Sequence, residues 1–277
     1  MPAVPELPEV EVLRRSLEPH VVGRRIVRVE AVQPLLRERV PVDELRIRAG
    51  GRRIVAVRRR AKYLLLDVEG GSTVVVHLGM SGQLGLVPEA VPPARHEHVT
   101  LHLDRDERLR LSDPRRFGLV FVVGTDDLPA DRHFRHLGVE PLSGRFGGEL
   151  LRAAARRRRA PVKTFLMDSR VVVGIGNIYA SESLYRAGIH PCRSVARISA
   201  ERWNRLAAAV VKVLRQAIGE GGTTLNDFAD GEGKKGYFQV SLVAYGRAGL
   251  PCGACGRPIR RRVQAGRSTF YCPRCQR

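Results

Sequence analysis

Two cysteine pairs near the C-terminus, Cys252-x2-Cys255 and Cys272-x2-Cys275, are separated by sixteen residues. This spacing constrains the fold more than any other feature of the chain. Each pair suits a tight knuckle, so four thiolates can surround one ion tetrahedrally. No charged-then-apolar leader is legible in the sequence, so disulfides are not the expected use of these cysteines. The four therefore read as the ligands of one Zn2+, Cys252, Cys255, Cys272 and Cys275. A site closed by four thiolates leaves no open coordination position, so the metal is expected to be structural. Cys192 is left over and is expected to be an unreactive thiol.

The charge narrows the partner. The formal net charge is +20 and the pI is near 11.0, which points to a polyanion and most simply to nucleic acid. Aromatic residues are only 5%, which argues against a broad stacking platform for single strands. Of the 48 basic residues 43 are arginine, and the five lysines are Lys62, Lys163, Lys212, Lys234 and Lys235. That bias suggests a GC-rich genome, and against it each lysine is a mild flag, because lysine can lose its proton when desolvated and arginine effectively cannot. Between the cysteine pairs lie Arg257, Arg260, Arg261, Arg262 and Arg267. A strand pair carrying that charge fits a DNA-facing hairpin, and a solvated basic surface on a zinc clip fits the same residues. A hydrophobic content of 43% over 277 residues is enough for about two cored domains. No apolar stretch approaches the roughly 18 residues of a membrane helix, so a soluble, cytoplasmic protein is expected.

The order of patterns predicts an α+β multidomain chain. Pro8 opens a helix with Glu9 and Glu11 in its first turn and Val10, Leu13 and Leu17 on one face. Short strand patterns follow: 25–32, 54–57, 63–68, 73–78, 98–103, 108–111 and 119–123, with Gly70-Gly71 as a turn. Strands at this spacing suggest a sandwich or barrel. From about Asp126 the pattern turns helical, over 147–159, 161–169, 177–187 and 199–218. The expected divisions are 5–125, 126–242 and 243–277.

The run Pro5-Glu6-Leu7-Pro8-Glu9-Val10-Glu11 carries the chemistry. A proline at a free N-terminus has a secondary amine that can attack a carbon and remain attached as an iminium. An α-amino group starts near a pKa of about 7.7–8.0, and the positive end of the following helix makes its protonation less favourable. Glu6 beside it can supply or relay protons. An ordinary helix start also fits a lone Pro-Glu pair. Gly174-Ile175-Gly176-Asn177 is a glycine turn feeding a helix, and free N–H groups at such a start can hold a phosphate. His77-Leu78-Gly79-Met80-Ser81-Gly82 and Asp113-Pro114-Arg115-Arg116-Phe117-Gly118 read as exposed turns. For Met80 and Phe117 core packing is the competing use.

Taken in order from Pro5 to the last cysteine pair, these motifs resemble the formamidopyrimidine-DNA glycosylases, bacterial enzymes that excise oxidised purines. Relatives called endonuclease VIII usually carry Gly where Leu7 stands. The resemblance implies an N-terminal antiparallel β-sandwich with a leading helix, a helix–two-turn–helix domain and a C-terminal four-cysteine zinc finger. It implies a bifunctional glycosylase and AP lyase, acting as a monomer on double-stranded DNA with oxidised bases or abasic sites. Pro5 would be the nucleophile and Glu6 the proton donor. Lys62 would hold a phosphate and assist β-elimination, and Arg267 would reach the lesion phosphates. His77, Arg158, Lys163, Asn177 and, more weakly, His96 would contact DNA. Met80 would fill the gap left by an extruded base, Arg115 would reach the orphaned opposite base, and Phe117 would wedge between base pairs. Thr223-Thr224-Leu225 and 234–238 resemble a loop that closes over the flipped base, with Asn226 where some relatives have lysine.

In that family the proline follows the initiator methionine directly, whereas Met1-Pro2-Ala3-Val4 precede Pro5 here. A start at a GTG-type codon for Val4 restores the pattern. Retention of the preceding residues would instead give a non-catalytic binder of damaged DNA, and an endonuclease VIII-like glycosylase of pyrimidine lesions is the other alternative within the resemblance. An unrelated zinc-finger nucleic-acid binder would show no preference for damaged duplex.

Overall fold

The computed structural model describes residues 5–32, 34–223 and 241–277. The expectations for residues 1–4 and for 224–240, which take in Asn226 and the closing loop beyond Thr223, concern residues outside those described. Those described fall into two compact units, 5–135 with 220–223, and 136–219 with 241–277.

The first unit begins with α1 (Leu7–Val21), in which Pro8 stands where a missing N–H is harmless. Its apolar stripe, Val10, Leu13, Leu17 and Val21, is buried against two antiparallel four-stranded sheets. The strands are β1 (Ile26–Ala31), β2 (Ile54–Arg60), β3 (Tyr63–Val68), β4 (Ser72–His77), β5 (Gln83–Pro88), β6 (Glu97–Leu103), β7 (Glu107–Ser112) and β8 (Leu119–Gly124), with α2 (Val42–Ala49) between β1 and β2. One sheet has the order β1-β6-β7-β5 and the other β2-β3-β4-β8. Alternate residues of both, such as Val29, Leu101 and Leu109 of one and Leu64, Leu66, Val74 and Val76 of the other, make a single core. The expected β-sandwich with a leading helix is therefore present. Two elements, α2 and β5, are additions to the sequence reading.

Register decides where the functional turns lie. Arg60 pairs with Tyr63, Tyr63 with His77, and His77 with Leu119. Gln83 and Glu97 both pair with Ser112. The β2–β3 turn, the β4–β5 link, the residues before β6 and the β7–β8 link thus all meet at one end of the sandwich. The two links each pass from one sheet to the other.

The second unit contains α3 (Gly148–Ala155), α4 (Val162–Leu166), α5 (Asn177–Ala187), α6 (Ala200–Gly219) and the hairpin β9 (Arg260–Gln264) with β10 (Arg267–Tyr271). The helix expected over 147–159 stops at Ala155. Four consecutive arginines follow, with Arg157 at φ 62, where like charges and the approaching Pro161 disfavour another turn. Trp203 of α6 packs on Phe165 of α4, ring centroids 5.6 Å apart. No helix among the described residues is long and apolar enough to cross a membrane.

Candidate functional site

In the first unit, the start of α1 is fixed by a reciprocal cap between Glu6 and Glu9, with the Glu6 N–H donating to Glu9 Oε2 at 2.8 Å. Pro5 and Glu6 are buried. Glu11, one turn on, pairs with Arg59 at 3.2 Å, and Arg59 Nη1 donates to the Ala61 carbonyl at 2.8 Å. This pins the tip of the β2–β3 hairpin, whose two-residue turn is Ala61-Lys62. Ala61 is left-handed there (φ 55), a conformation a residue with a Cβ adopts only when its surroundings hold it. Lys62 is thereby presented at the same end of the sandwich as the N-terminus of α1.

His77 closes β4 at this end. The Gly79 N–H donates to His77 Nδ1 at 3.0 Å, so the neutral ring carries its proton on Nε2. Burial, together with the positive charges of Lys62, Arg37 and His133, pushes the imidazole pKa down to about 3. His77 is therefore a neutral hydrogen-bond donor at physiological pH.

The Met80 and Phe117 turns are one construction. Gly79 is left-handed (φ 63), and a Cβ there would strike the backbone of Phe117 and Gly118, so only glycine lets the two turns touch. Asp113, 0% exposed, organises both. Its Oδ1 accepts the Ser81 hydroxyl at 2.6 Å and the Arg115 N–H at 3.3 Å, and its Oδ2 accepts the Gly118 N–H at 2.7 Å. His98 Nε2 donates to its carbonyl at 2.9 Å, and its own N–H donates to the carbonyl of His96 at 3.0 Å. Phe117 is 44% exposed, which removes core packing as its use, and the Arg115 guanidinium lies 5.1 Å from its ring centre. Met80 is half-buried and His96 is exposed. The structure thus gathers Pro5, Glu6, Lys62, His77, Met80, His96, Arg115 and Phe117 at one end of one unit.

In the second unit, Asn177 is the first residue of α5, after left-handed Gly174 and the extended N-cap Gly176. Lys163 is 2% exposed, and its ammonium donates to Asn177 Oδ1 at 2.5 Å, Thr269 Oγ1 at 2.7 Å and the Ser268 carbonyl at 3.2 Å. The bond to Oδ1 fixes the amide, leaving Nδ2 as its donor end beside the helix N-terminus. The same lysine grips β10 one residue after Arg267, which is exposed beside the Ala265-Gly266 turn (φ 49 and 71). Lys163 thus orders Asn177 and the arginine strand together. Arg158 is directed elsewhere, paired with Asp168 at 3.2 Å.

The four cysteine sulfurs lie within 4.8 Å of one another. Tetrahedral ligation at about 2.3 Å per bond requires sulfurs about 3.8 Å apart, and the pairs Cys252–Cys275 and Cys255–Cys272 stand at 3.9 and 3.5 Å. The donor set fits a metal. The Tyr185 hydroxyl of α5 lies 3.0 Å from Cys252 Sγ. Burial alone would raise the Cys252 pKa, but this bond and backbone N–H groups bring it down to about 6. Glu182, also on α5, accepts the N–H groups of Val243, Ala244 and Tyr245 at 3.1, 2.9 and 2.8 Å, anchoring the chain that leads into the finger. Cys192 Sγ lies 3.5 Å from Gln264 Oε1. Glu9, Ser81, Asp113, Glu182 and Tyr185 were missed as supporting residues by sequence reasoning, because their partners are brought in by the fold.

Three family profiles match the chain in this order: "Formamidopyrimidine-DNA glycosylase N-terminal domain" over 4–120, "Formamidopyrimidine-DNA glycosylase H2TH domain" over 137–229, and "Zinc finger found in FPG and IleRS" over 249–277. A formamidopyrimidine-DNA glycosylase of Hahella chejuensis is 48% identical over 276 residues, 99% of this chain and 100% of the relative. The crystal structure of MutM (Fpg) from Thermus thermophilus is similar with a TM-score of 0.89 and 41% identity, covering 98% of both chains. Lactococcus lactis Fpg, solved with DNA containing an abasic site, gives a TM-score of 0.91 at 32% identity, covering 98% of this chain and 99% of that one.

Proposed function

Given that this chain belongs to the formamidopyrimidine-DNA glycosylase family, we propose that Pro5 and Glu6 carry the bond-making chemistry of its reaction, with the turns at the same end of the sandwich holding the DNA. The protein is a bifunctional DNA glycosylase and AP lyase of base excision repair, acting on oxidised purines in duplex DNA. The Pro5 nitrogen bonds to the anomeric carbon of the damaged nucleotide. Glu6 gives a proton to the sugar ring oxygen, the ring opens, and the glycosidic bond breaks with its electrons leaving on the base. The iminium then makes the adjacent C–H acidic, and loss of that proton expels the 3′ phosphate by β-elimination. δ-Elimination releases the 5′ side. The covalent imine is the electron sink, so no redox group takes part in these steps.

Lys62 holds a phosphate and assists elimination. Neutral His77 donates to a second phosphate through Nε2. Met80, Arg115 and Phe117 occupy the space left by the extruded nucleotide, with His96 at the flank, an apolar wedge paired with arginine suited to unstacking DNA. In the second unit Asn177 and Arg267 hold phosphates and Lys163 positions both, whereas Arg158, paired with Asp168, takes no part in that cluster. Cys252, Cys255, Cys272 and Cys275 hold one structural Zn2+, which maintains the hairpin bearing Arg267. The enzyme works as a monomer in the cytoplasm.

The convergence of Pro5, Glu6, Lys62 and the two interlocked turns at one sheet end carries this reading. The amine must be free, so the mature chain begins at Pro5. The first profile match begins at residue 4, which agrees with a start that replaces Val4 by methionine. Borohydride reduction with an 8-oxoguanine duplex tests it. Protein beginning at Pro5 should leave a covalent protein–DNA adduct, and protein retaining residues 1–4 should not. Equal trapping by both would remove Pro5 as the nucleophile.

A further inference from the structure

We propose that the arginine-lined face around the first turns of α6 is a second nucleic-acid site, which takes the phosphodiester backbone of another DNA segment and passes it to the primary site. The proposal goes beyond the glycosylase reaction and rests only on the protein's binding to duplex DNA.

Two concave surfaces flank this helix. One, a cavity of about 380 Å3, is lined by Arg152, Arg156, Arg157, Arg158 and Arg159 and closes on Trp203. The other, about 460 Å3, is lined by Arg186, Arg202, Arg205 and Arg277 beside the finger residue Cys275. Trp203 borders the first and its helix neighbours Arg202 and Arg205 the second. The cavities are thus separated by about one helix diameter, roughly 10 Å. Among the described residues, no Asp or Glu lines either one. The carboxylates paired to these arginines are Asp168, 3.2 Å from Arg158, and Glu201, 3.9 Å from Arg205 and 86% exposed, and Arg202 Nη1 donates to the main-chain oxygen of Arg277 at 3.1 Å.

The second cavity has a further feature. Arg186 Nε is buried without a hydrogen-bond partner. Buried donors are ordinarily paired, and turning this guanidinium into the cavity that the residue lines would let an anion there accept from it. This cavity is distinct from the phosphate position at Asn177. It lies at the Ala187–Gly188 end of α5, and eleven residues of helix put the two ends about 15 Å apart.

The spacing selects the ligand. One small anion would occupy one cavity. Two arginine clusters a helix diameter apart match a linear polyanion, and duplex DNA carries a charge about every 1.7 Å along its axis. A backbone crossing the start of α6 meets both. Guanidinium groups suit phosphate geometry, and a chain of net charge +20 that works on DNA meets this ligand at high local concentration. A protein that holds two segments at once can move between them without passing through free solution.

Transfer kinetics test the proposal. A labelled duplex carrying a tetrahydrofuran abasic analogue is bound, and its dissociation rate is followed against increasing unlabelled undamaged duplex at low salt. For the unaltered protein the rate should rise with competitor concentration. In the double variant Arg156→Gln, Arg205→Gln, one change per cavity, the slope should fall at least fivefold. Single-turnover cleavage of an 8-oxoguanine duplex at saturating enzyme should stay within twofold. The charge-preserving pair Arg156→Lys, Arg205→Lys should keep most of the slope, which a merely structural effect would not. A slope unchanged by the glutamine variant, a slope absent in the unaltered protein, or equal displacement by polyglutamate at matched charge would each overturn the assignment. Failure of the unaltered protein to cleave, with transfer intact, would instead count against the roles given to Pro5 and Glu6.

Discussion

Glu9 joins Thr223 to the start of the chain. Its Oε1 accepts both the N–H and the hydroxyl of Thr223, at 3.0 and 2.9 Å, while its Oε2 accepts the N–H of Glu6. Glu9 is 1% exposed, and left-handed Gly222 (φ 79) lies against it. One buried carboxylate therefore sets the backbone next to Pro5 and holds the chain two hundred residues later. Hydrogen bonds to a charged acceptor contribute about 1.5–3 kcal/mol each. Glu9→Gln keeps one oxygen, so either Thr223 or Glu6 loses its partner. Borohydride trapping should slow about tenfold or more, with affinity for undamaged duplex changed less than twofold. Trapping at the unaltered rate would mean Glu9 does not position the amine.

Asp113 and Ser81 make the second such pair, and they couple the two wedge turns. Asp113→Asn exchanges an oxygen for an NH2 that cannot accept the N–H of Gly118 or the hydroxyl of Ser81. Leaving a buried donor unpaired costs about 1–3 kcal/mol. Affinity for a duplex with an abasic analogue should fall about tenfold, and a fluorescent base placed opposite the lesion should report less unstacking. Ser81→Ala removes the hydroxyl that donates to Asp113 and accepts the Arg115 N–H at 3.3 Å, and should weaken binding by about fivefold. If Asp113→Asn left the unstacking signal intact, the turns would be held by other contacts.

His77 gives a prediction with a sign. Its folded pKa of about 3 lies below the ordinary value of 6.5, so the unfolded chain binds the proton more readily. Its contribution to stability is complete above about pH 6.5 and is lost as pH falls toward 3. His77→Gln, a neutral donor at every pH, should flatten the acid limb of a Tm–pH curve in that window. Because His77 is neutral when DNA binds, this variant should leave the salt dependence of affinity unchanged. Arg267→Ala should lower that slope by about 0.9, the loss of one phosphate contact.

The sequence made the cysteine module and the order of elements legible because each rests on local chemistry. Knuckle spacing, the proline at the start of α1 and the branched runs of β3, β4 and β6 need no distant partner to be read. The strand β5 was hidden, since Gln83-Leu84-Gly85-Leu86-Val87-Pro88 carries a glycine inside and a proline at its end. In α2 only Leu45 and Ala49 are buried, too few for a clear period. Lys163 shows the deeper limit. It stands after a run of surface arginines, yet it is buried, and its acceptors Ser268 and Thr269 lie a hundred residues away. Being a lysine among arginines flags it mildly, but nothing local shows that it is buried or what it holds. Glu9 read only as a first-turn acid for the same reason, with Thr223 supplied by the fold.

The finger is where a single metal should control phosphate contacts in the whole second unit. The Cys252, Cys255, Cys272 and Cys275 sulfurs bracket the hairpin whose β10 strand gives Lys163 two of its acceptors and carries Arg267. Lys163 in turn fixes the Asn177 amide. Stripping the metal leaves four clustered thiols with no common partner, and the hairpin loses the constraint that sets its position. Asn177 and Arg267, the phosphate donors proposed for this unit, should then be lost together. Chelation or Cys252→Ser should weaken duplex binding about a hundredfold at moderate salt. The salt slope should drop by about 0.9, for the loss of Arg267, because Asn177 is a neutral donor whose loss weakens affinity without releasing a counterion. Native mass spectrometry should find one Zn2+ per chain before chelation. A Cys252→Ser protein that binds duplex normally at moderate salt would separate the finger from DNA binding, and an affinity loss no larger than that of Arg267→Ala would confine its effect to Arg267, with Asn177 ordered independently of the finger.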